Sequence, residues 1–345
     1  MRIFVSKSVC KTWNDIVSHP EFAKLHFNQG EIYPLIRIYG SKMVHLMQPN
    51  NGEVEIEARF EVPNLFDIVT CNGLLCLSGV SDKELPIVCN PITGEFINLP
   101  DDKKINSSSD VLCYGFGFSP TTNQYKIIRM SERGTPGGNM AEVNILGTNT
   151  WKNIGFFTLS LPMSSPIYLY GFLYWRSYLG SLSLLTFDVE KEHFESVSLP
   201  TLNQPYQYDN VGVLGGELCI CEVLDSGAIH VWTMKDNGTK KAWSKVFSLN
   251  HIYYDPIQHY GSLQPIKYLN DGALLMFNSC EDTLVYIEPK QNRLRSLRFC
   301  PFKVEAIAYI PTFVSLKHAL SGHDVKVLNM RSRGAKLKLP KEDNS

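Results

Sequence analysis

One pattern of apolar and polar positions recurs along this chain. An apolar residue is followed by a capping-type polar residue, usually by Pro, and by a large apolar residue six positions after the polar one. Cys89-Asn90-Pro91 leads to Phe96, Phe118-Ser119-Pro120 to Tyr125, Phe187-Asp188-Val189 to Phe194, and Ile287-Glu288-Pro289 to Leu294. Met47-Gln48-Pro49 leads likewise to Val54, and looser copies end on Trp151 and Trp243. Pro presets φ, and Asn, Asp or Ser bonds back to its own backbone, so each copy predicts a hairpin turn between two strands.

A second element, Gly-x-Leu inside an apolar run, lies upstream of these turns. It occurs at Gly73, Gly171, Gly216 and Gly272, and the interval to the polar turn residue runs from 16 (288 − 272) to 20 (236 − 216) residues. The predicted unit is a turn, a strand, a variable loop, a strand, a hairpin and a strand. The Ser119 and Gly147 turns are too close together to head separate units, so both belong to one, joined by the loop from Gly134 to Asn139. Six units remain, marked at positions 48, 90, 147, 188, 236 and 288. A period of about 40 to 50 residues with several strands in each is that of β-propeller blades, which bury both faces only by stacking around an axis. The expectation is an all-β propeller of about six blades. The strand from Val304 to Ile310 closes the ring near the first unit, because an open sheet edge must be covered.

The first thirty residues differ. Val5, Val9, Trp13 and Val17, with Ile16 beside them, form one apolar stripe at helical spacing. Pro20 ends that helix, and Ser18-His19-Pro20-Glu21 reads as the capping box of a second short one with Phe22 and Leu25 on its apolar side. Two such helices cannot form a core alone, so they dock on the propeller or on another protein.

Composition narrows the partners. The formal net charge of −1 gives no global field toward nucleic acid or a membrane surface. No run of about 18 apolar residues predicts a membrane span. The start at Met1 lacks the apolar core of a secretory signal. Nine Cys without a Cys-x-x-Cys pair read as buried free thiols in a reducing compartment, so a cytoplasmic or nuclear location is expected.

The segment from Ser8 to Phe27 resembles the second half of a plant F-box. Cys71-Asn72-Gly73-Leu74-Leu75-Cys76, Asn90-Pro91-Ile92-Thr93-Gly94, Tyr114-Gly115-Phe116-Gly117-Phe118 and Phe187-Asp188-Val189-Glu190 resemble the F-box-associated, kelch-like propeller of the same plant proteins. The resemblance runs from about Ser6 to Phe313. It implies a non-catalytic substrate receptor of a Skp–cullin–F-box ubiquitin ligase. The helical segment would bind a Skp-type adaptor, and through it a cullin, by Val5, Val9, Trp13, Ile16 and Val17. The propeller would hold the protein to be ubiquitinated. The family's F-box opens with a Leu-Pro pair and an amphipathic helix that precede the part matched here. Two other readings therefore stay open at this point: an interaction protein uncoupled from the ligase, and a propeller enzyme or small-molecule binder.

The residues supply little chemistry for the last of these. The nine His are scattered without zinc spacing, no Gly-x-Ser-x-Gly elbow occurs, and Gly115-Phe116-Gly117, read as lying between strands, lacks the helix of a phosphate cradle. No metal and no cofactor is expected. Phe96, Tyr125, Trp151, Phe194 and Trp243 are expected to pack between blades. Loops held by a rigid scaffold are the better candidates for binding. Four break the repeat: 99–109, 131–139, 206–210 and 251–264. Tyr206, Tyr208, Tyr253 and Tyr254 on them are the candidate target-binding residues, Tyr being a common interface anchor. The expected organisation is a partial F-box over 1–30, the propeller over 31–316 and a basic tail over 317–345. The tail is expected to be mostly disordered, with a docked piece at Val325–Leu328.

Overall fold

The computed structural model describes residues 29–50, 53–62, 67–78, 86–100, 111–132, 139–157, 165–176, 183–200, 208–224, 227–236, 241–249, 263–291, 293–320 and 326–329, together with Phe22 and Phe27. Six antiparallel sheets form six blades. Blade 2 holds β4 (Asp67–Cys71), β5 (Leu74–Ser78), β6 (Ile87–Asn90) and β7 (Glu95–Asn98). Blade 3 holds β8 (Val111–Ser119), β9 (Gln124–Glu132), β10 (Asn139–Ile145) and β11 (Lys152–Phe157). Blade 4 holds β12 (Ile167–Leu169), β13 (Phe172–Arg176), β14 (Ser183–Asp188) and β15 (His193–Ser198). Blade 5 holds β16 (Tyr208–Leu214), β17 (Glu217–Val223), β18 (Ile229–Asp236) and β19 (Lys241–Leu249). Blade 6 holds β20 (Leu263–Tyr268), β21 (Leu274–Asn278), β22 (Thr283–Glu288) and β23 (Arg293–Leu297). Blade 1 is composite: β1 (Tyr33–Ile38), β2 (Met43–Asn50) and β3 (Glu53–Glu61) are completed on the inner side by β24 (Val304–Tyr309). The strand expected to close the ring does so, pairing with β1 from Tyr33–Tyr309 to Ile38–Val304.

The turn chemistry explains why these strands form. In the Asn90 and Asp188 copies the polar residue of the repeated pattern caps its hairpin, whereas Gln48 and Pro49, read as a turn, lie within β2 and pair with Glu55 and Val54. Asn90 Oδ1 accepts from the Ile92 amide at 2.8 Å, and Asp188 Oδ1 accepts from the Glu190 and Lys191 amides at 3.0 and 2.9 Å. The Gly-x-Leu elements sit at the turns between first and second strands. There Asn72, Tyr170 and Gly215 have φ of 49°, 47° and 61°, followed by Gly73, Gly171 and Gly216 at 76°, 86° and 82°. Two successive residues with positive φ make the tight turn that matches strand twist. The Ser119 and Gly147 turns do fall in one blade.

Six apolar clusters fill the six boundaries between neighbouring blades. Each middle strand feeds two of them. In β5, Leu75 and Leu77 face blade 1 while Leu74 and Cys76 face blade 3. Burial on both faces is why these strands read as continuous apolar runs rather than as alternation. Phe96 and Tyr125 are buried as expected, whereas Trp151 and Trp243 are half-buried and donate across a boundary. Trp151 Nε1 donates to Pro100 O at 3.2 Å and Trp243 Nε1 to Ser198 O at 2.8 Å. Trp243→Phe keeps an aromatic ring, though a smaller one, and removes one hydrogen bond between blades 5 and 4. A loss of about 1 kcal/mol in chemical denaturation is expected; no loss would show the bond to be replaced by water.

One sequence reading is corrected. Gly115-Phe116-Gly117 lies within β8, not between strands. A Cβ on Gly115 would stand 2.8 Å from Trp175 Cζ2, and one on Gly117 would stand 2.6 Å from Val189 Cγ2. The two glycines bare the backbone so that blade 4 can approach blade 3. Past the last blade strand, α1 (Leu316–Ala319) follows, and β25 (Leu328–Asn329) pairs with Phe96 and Glu95 on the outer edge of blade 2. Val325 and residues 330–345 lie outside the described residues.

Candidate functional site

Strand direction divides the ring into two faces. The inner strands β4, β8, β12, β16, β20 and β24 all end at one of them, where their ends touch from blade to blade. Tyr309 Oη donates to Gly73 O at 2.9 Å and Tyr168 Oη to Phe118 O at 2.9 Å. A Cβ on Gly216 would meet the Tyr170 hydroxyl at 3.1 Å. The tight turns lie on this face. The longer connections lie on the other, because each inner strand starts there.

The strands that carry the four loops chosen from the sequence all meet them at that second face. Residues 99–109 lead from β7 into β8, 131–139 from β9 into β10, 206–210 into β16, and 251–264 from β19 into β20. Their spacing in the sequence did not reveal this; the ring brings them together. Tyr208 corrects one loop boundary, since it is the first residue of β16 and pairs with Val223. Tyr206, Tyr253 and Tyr254 lie outside the described residues.

The chain enters the ring from the tight-turn face, because β1 begins at Tyr33 opposite the end of β24. Val5, Val9, Trp13, Ile16 and Val17 lie outside the described residues. The segment between them and β1 is fastened to the propeller. Phe22 packs against the cluster between blades 1 and 2. Lys267 Nζ of blade 6 pairs with Glu31 at 2.7 Å. Burial pushes the Glu31 carboxyl up, but the Lys267 contact together with hydrogen bonds from Gln48 and Tyr33 outweighs it and leaves the group below its ordinary value.

A cavity of about 520 Å³ occupies the axis. It extends from Ser165, Asn210, Gln264 and Glu305 near the starts of the inner strands to Gly73, Gly216 and Ile310 at their ends, with Phe27 and Ile32 lining it too. β8 contributes none of the lining. Instead β4 and β12 meet, and Ser165 Oγ donates to Asp67 Oδ1. Glu305 pairs with the buried Arg37 at 2.6 Å. Burial pushes the Glu305 carboxyl up, Arg37 pulls it down, and the nearby Asp67 charge adds to the rise, which prevails. Sequence reasoning missed Arg37, Asp67, Ser165 and Glu305, and included Asn210 and Gln264 only as the last residues of two candidate loops. The signal was there: an acidic residue inside Val304-Glu305-Ala306-Ile307-Ala308, an otherwise apolar strand, marks a place where water or a ligand meets the ring.

A family model for the F-box associated beta propeller domain matches residues 40–320 of this chain. The chain belongs to the F-box associated β-propeller family. Its similarity to an F-box/LRR-repeat/kelch-repeat protein of Arabidopsis thaliana is 26% identity over 332 residues, covering 89% of this chain and 90% of that one. It is 27% identical to the Arabidopsis F-box protein CPR1 over 282 residues, covering 70% and 66%. In this F-box associated propeller no helix among the described residues is long and apolar enough to cross a membrane. No cluster of His, Cys, Asp or Glu among them is arranged to hold a metal ion.

Proposed function

We propose that this protein is the substrate-recognition subunit of a Skp–cullin–F-box ubiquitin ligase. Residues 1–30 carry the adaptor-binding helical segment, 31–316 the propeller and 317–345 the tail. The observation that supports this reading most is the opposition of the two ends of the ring. The chain reaches β1 from the tight-turn face, while the strands that bear all four candidate loops meet them at the far face. A target held by Tyr206, Tyr208, Tyr253 and Tyr254 therefore leaves the adaptor's docking surface clear. Phe22, Phe27 and Glu31, just after the adaptor-binding residues, each touch the propeller, which ties the entry of the chain to the ring.

Retention of a purified Skp-type adaptor by the tagged full chain tests the reading. Micromolar or tighter binding is expected, and Trp13→Ala should weaken it about tenfold or more by removing the largest apolar anchor of the helical stripe. Replacing Tyr253 and Tyr254 by Ala should leave adaptor binding unchanged. Absence of retention, or equal loss in the Tyr variants, would refute the assignment of the two faces.

A further inference from the structure

The two ends of the axial cavity differ in chemistry. At the long-loop end Asn210, Gln264 and Arg176 line it beside Glu305. At the tight-turn end Phe27, Ile32, Tyr168 and Tyr309 line it. The two tyrosine hydroxyls are engaged with Phe118 O and Gly73 O, so the walls there are mainly apolar. At the polar end the Glu305 carboxylate is already paired with Arg37, and Asp67 beside it already accepts from Ser165. An ion entering that space would give up hydration beside carboxylates that already have partners. A neutral polar group would instead find amide donors and acceptors on Asn210 and Gln264. The volume of about 520 Å³ lies within the range of small-molecule sites.

We infer that the axial cavity is a binding site for a neutral, amphipathic small organic molecule. Its hydroxyl or amide head faces Asn210 and Gln264, and its apolar or aromatic body lies against Phe27 and Ile32. The site lies on the axis, and Asn210 and Gln264 at its polar end stand where two of the loops that would hold a target protein join the ring. Phe27 and Ile32 belong to the segment through which the chain enters the ring. Ligand binding and docking of that segment therefore favour each other, with equal coupling in both directions.

The probe is N-phenyl-1-naphthylamine, a neutral aromatic amine that fluoresces in apolar surroundings, titrated into the full chain. Saturable binding at one site is expected, with a dissociation constant on the order of 10 μM. Val213→Trp, which fills the cavity from β16, should weaken it about tenfold or more. Phe27→Ala should weaken it about threefold to tenfold through the lost ring contact. Phe302→Ala, an exposed ring outside the cavity, should change nothing and controls for surface binding. If Val213→Trp loses the β-sheet circular dichroism, Ile310→Trp at the other end of the cavity decides instead. No saturable binding to the unaltered chain, or binding that a folded cavity-filling variant leaves unchanged, overturns the inference and marks the axis as a water channel. The assay contains no adaptor, so its outcome is independent of the ligase reading.

Discussion

Trp175→Ala is expected to cost about 4 kcal/mol, the largest single loss among side chains in this ring. Trp175 lies on β13 with 0% of its surface exposed and heads the fully buried side chains by volume. It packs with Ile128, Met130, Leu185 and Phe187 at the boundary of blades 3 and 4. Alanine would leave a cavity that two sheets, each held by its own ladder, cannot close. Its partner is an absence: Gly115 on β8 gives up a side chain so that the indole fits, since a Cβ there would stand 2.8 Å from Cζ2. Gly115→Ala should therefore be destabilising alone, by about 1–3 kcal/mol, and less so once Trp175 is Leu, the remainder coming from Leu173 Cδ1, which the new Cβ would meet at 2.9 Å. Denaturation midpoints of the two single variants and the double variant measure that coupling. Additive losses would show that the glycine serves strand geometry rather than the tryptophan. With native stability of about 5–15 kcal/mol, the Trp175 loss alone takes a large share.

Asn90→Ala is expected to cost about 3 kcal/mol for a different reason. Asn90 is fully buried, and each end of its amide does separate work. Oδ1 caps the blade 2 hairpin by accepting from the Ile92 amide. Nδ2 donates to Thr312 O at 3.0 Å and to Val314 O at 2.8 Å, holding the chain just after the closing strand. Glu95 holds the next residues, accepting from Ser315 Oγ at 2.9 Å and from the Leu316 amide at 2.8 Å. Gly73 leaves room for the same segment, since a Cβ there would stand 2.6 Å from Ile310 O. Asn90→Asp separates the two tasks. It keeps the turn acceptor, loses both donors and sets a carboxylate against two carbonyls, so it should be as damaging as Ala. Hydrogen exchange should show amides of β24 and α1 losing protection before those of blades 4 and 5. An Asp variant as stable as the unaltered chain would mean that the turn, not the latch, is what Asn90 supplies.

The same residue shows how much of the fold could be read from the chain. Asn90 was visible as a turn former because its bond to Ile92 spans two positions, and such bonds carry a sequence signature. Its bonds to Thr312 and Val314 span more than two hundred positions and have no signature. The Cys residues behave alike: burial of Cys76 and Cys89 could be read from the apolar runs around them. Their thiols are indeed pushed up by desolvation, to about 12 at Cys89. The half-buried tryptophans were correctly placed between blades, but their acceptors could not be named, because Pro100 and Ser198 lie in neighbouring units.

For the candidate site the division is sharper. Loops were recognisable as interruptions of a repeat, and Tyr208 was misplaced only by the few residues over which β16 begins. The channel residues were passed over because each stands singly in an apolar strand. Arg37 and Glu305 become a pair only when the last strand lies beside the first.

The sequence by itself determined the repeated blade, the number of units and the strand that closes them. Those depend on φ preferences, short side-chain-to-backbone bonds and hydrophobic runs, all of which act within a few residues. Only the tertiary structure decided that the four loops share a face, that the entry segment lies opposite them, and that an axial cavity joins polar and apolar ends. These follow from bringing the inner strands of separate blades around one axis, and contacts between residues so far apart in the chain are set by packing rather than by any local preference.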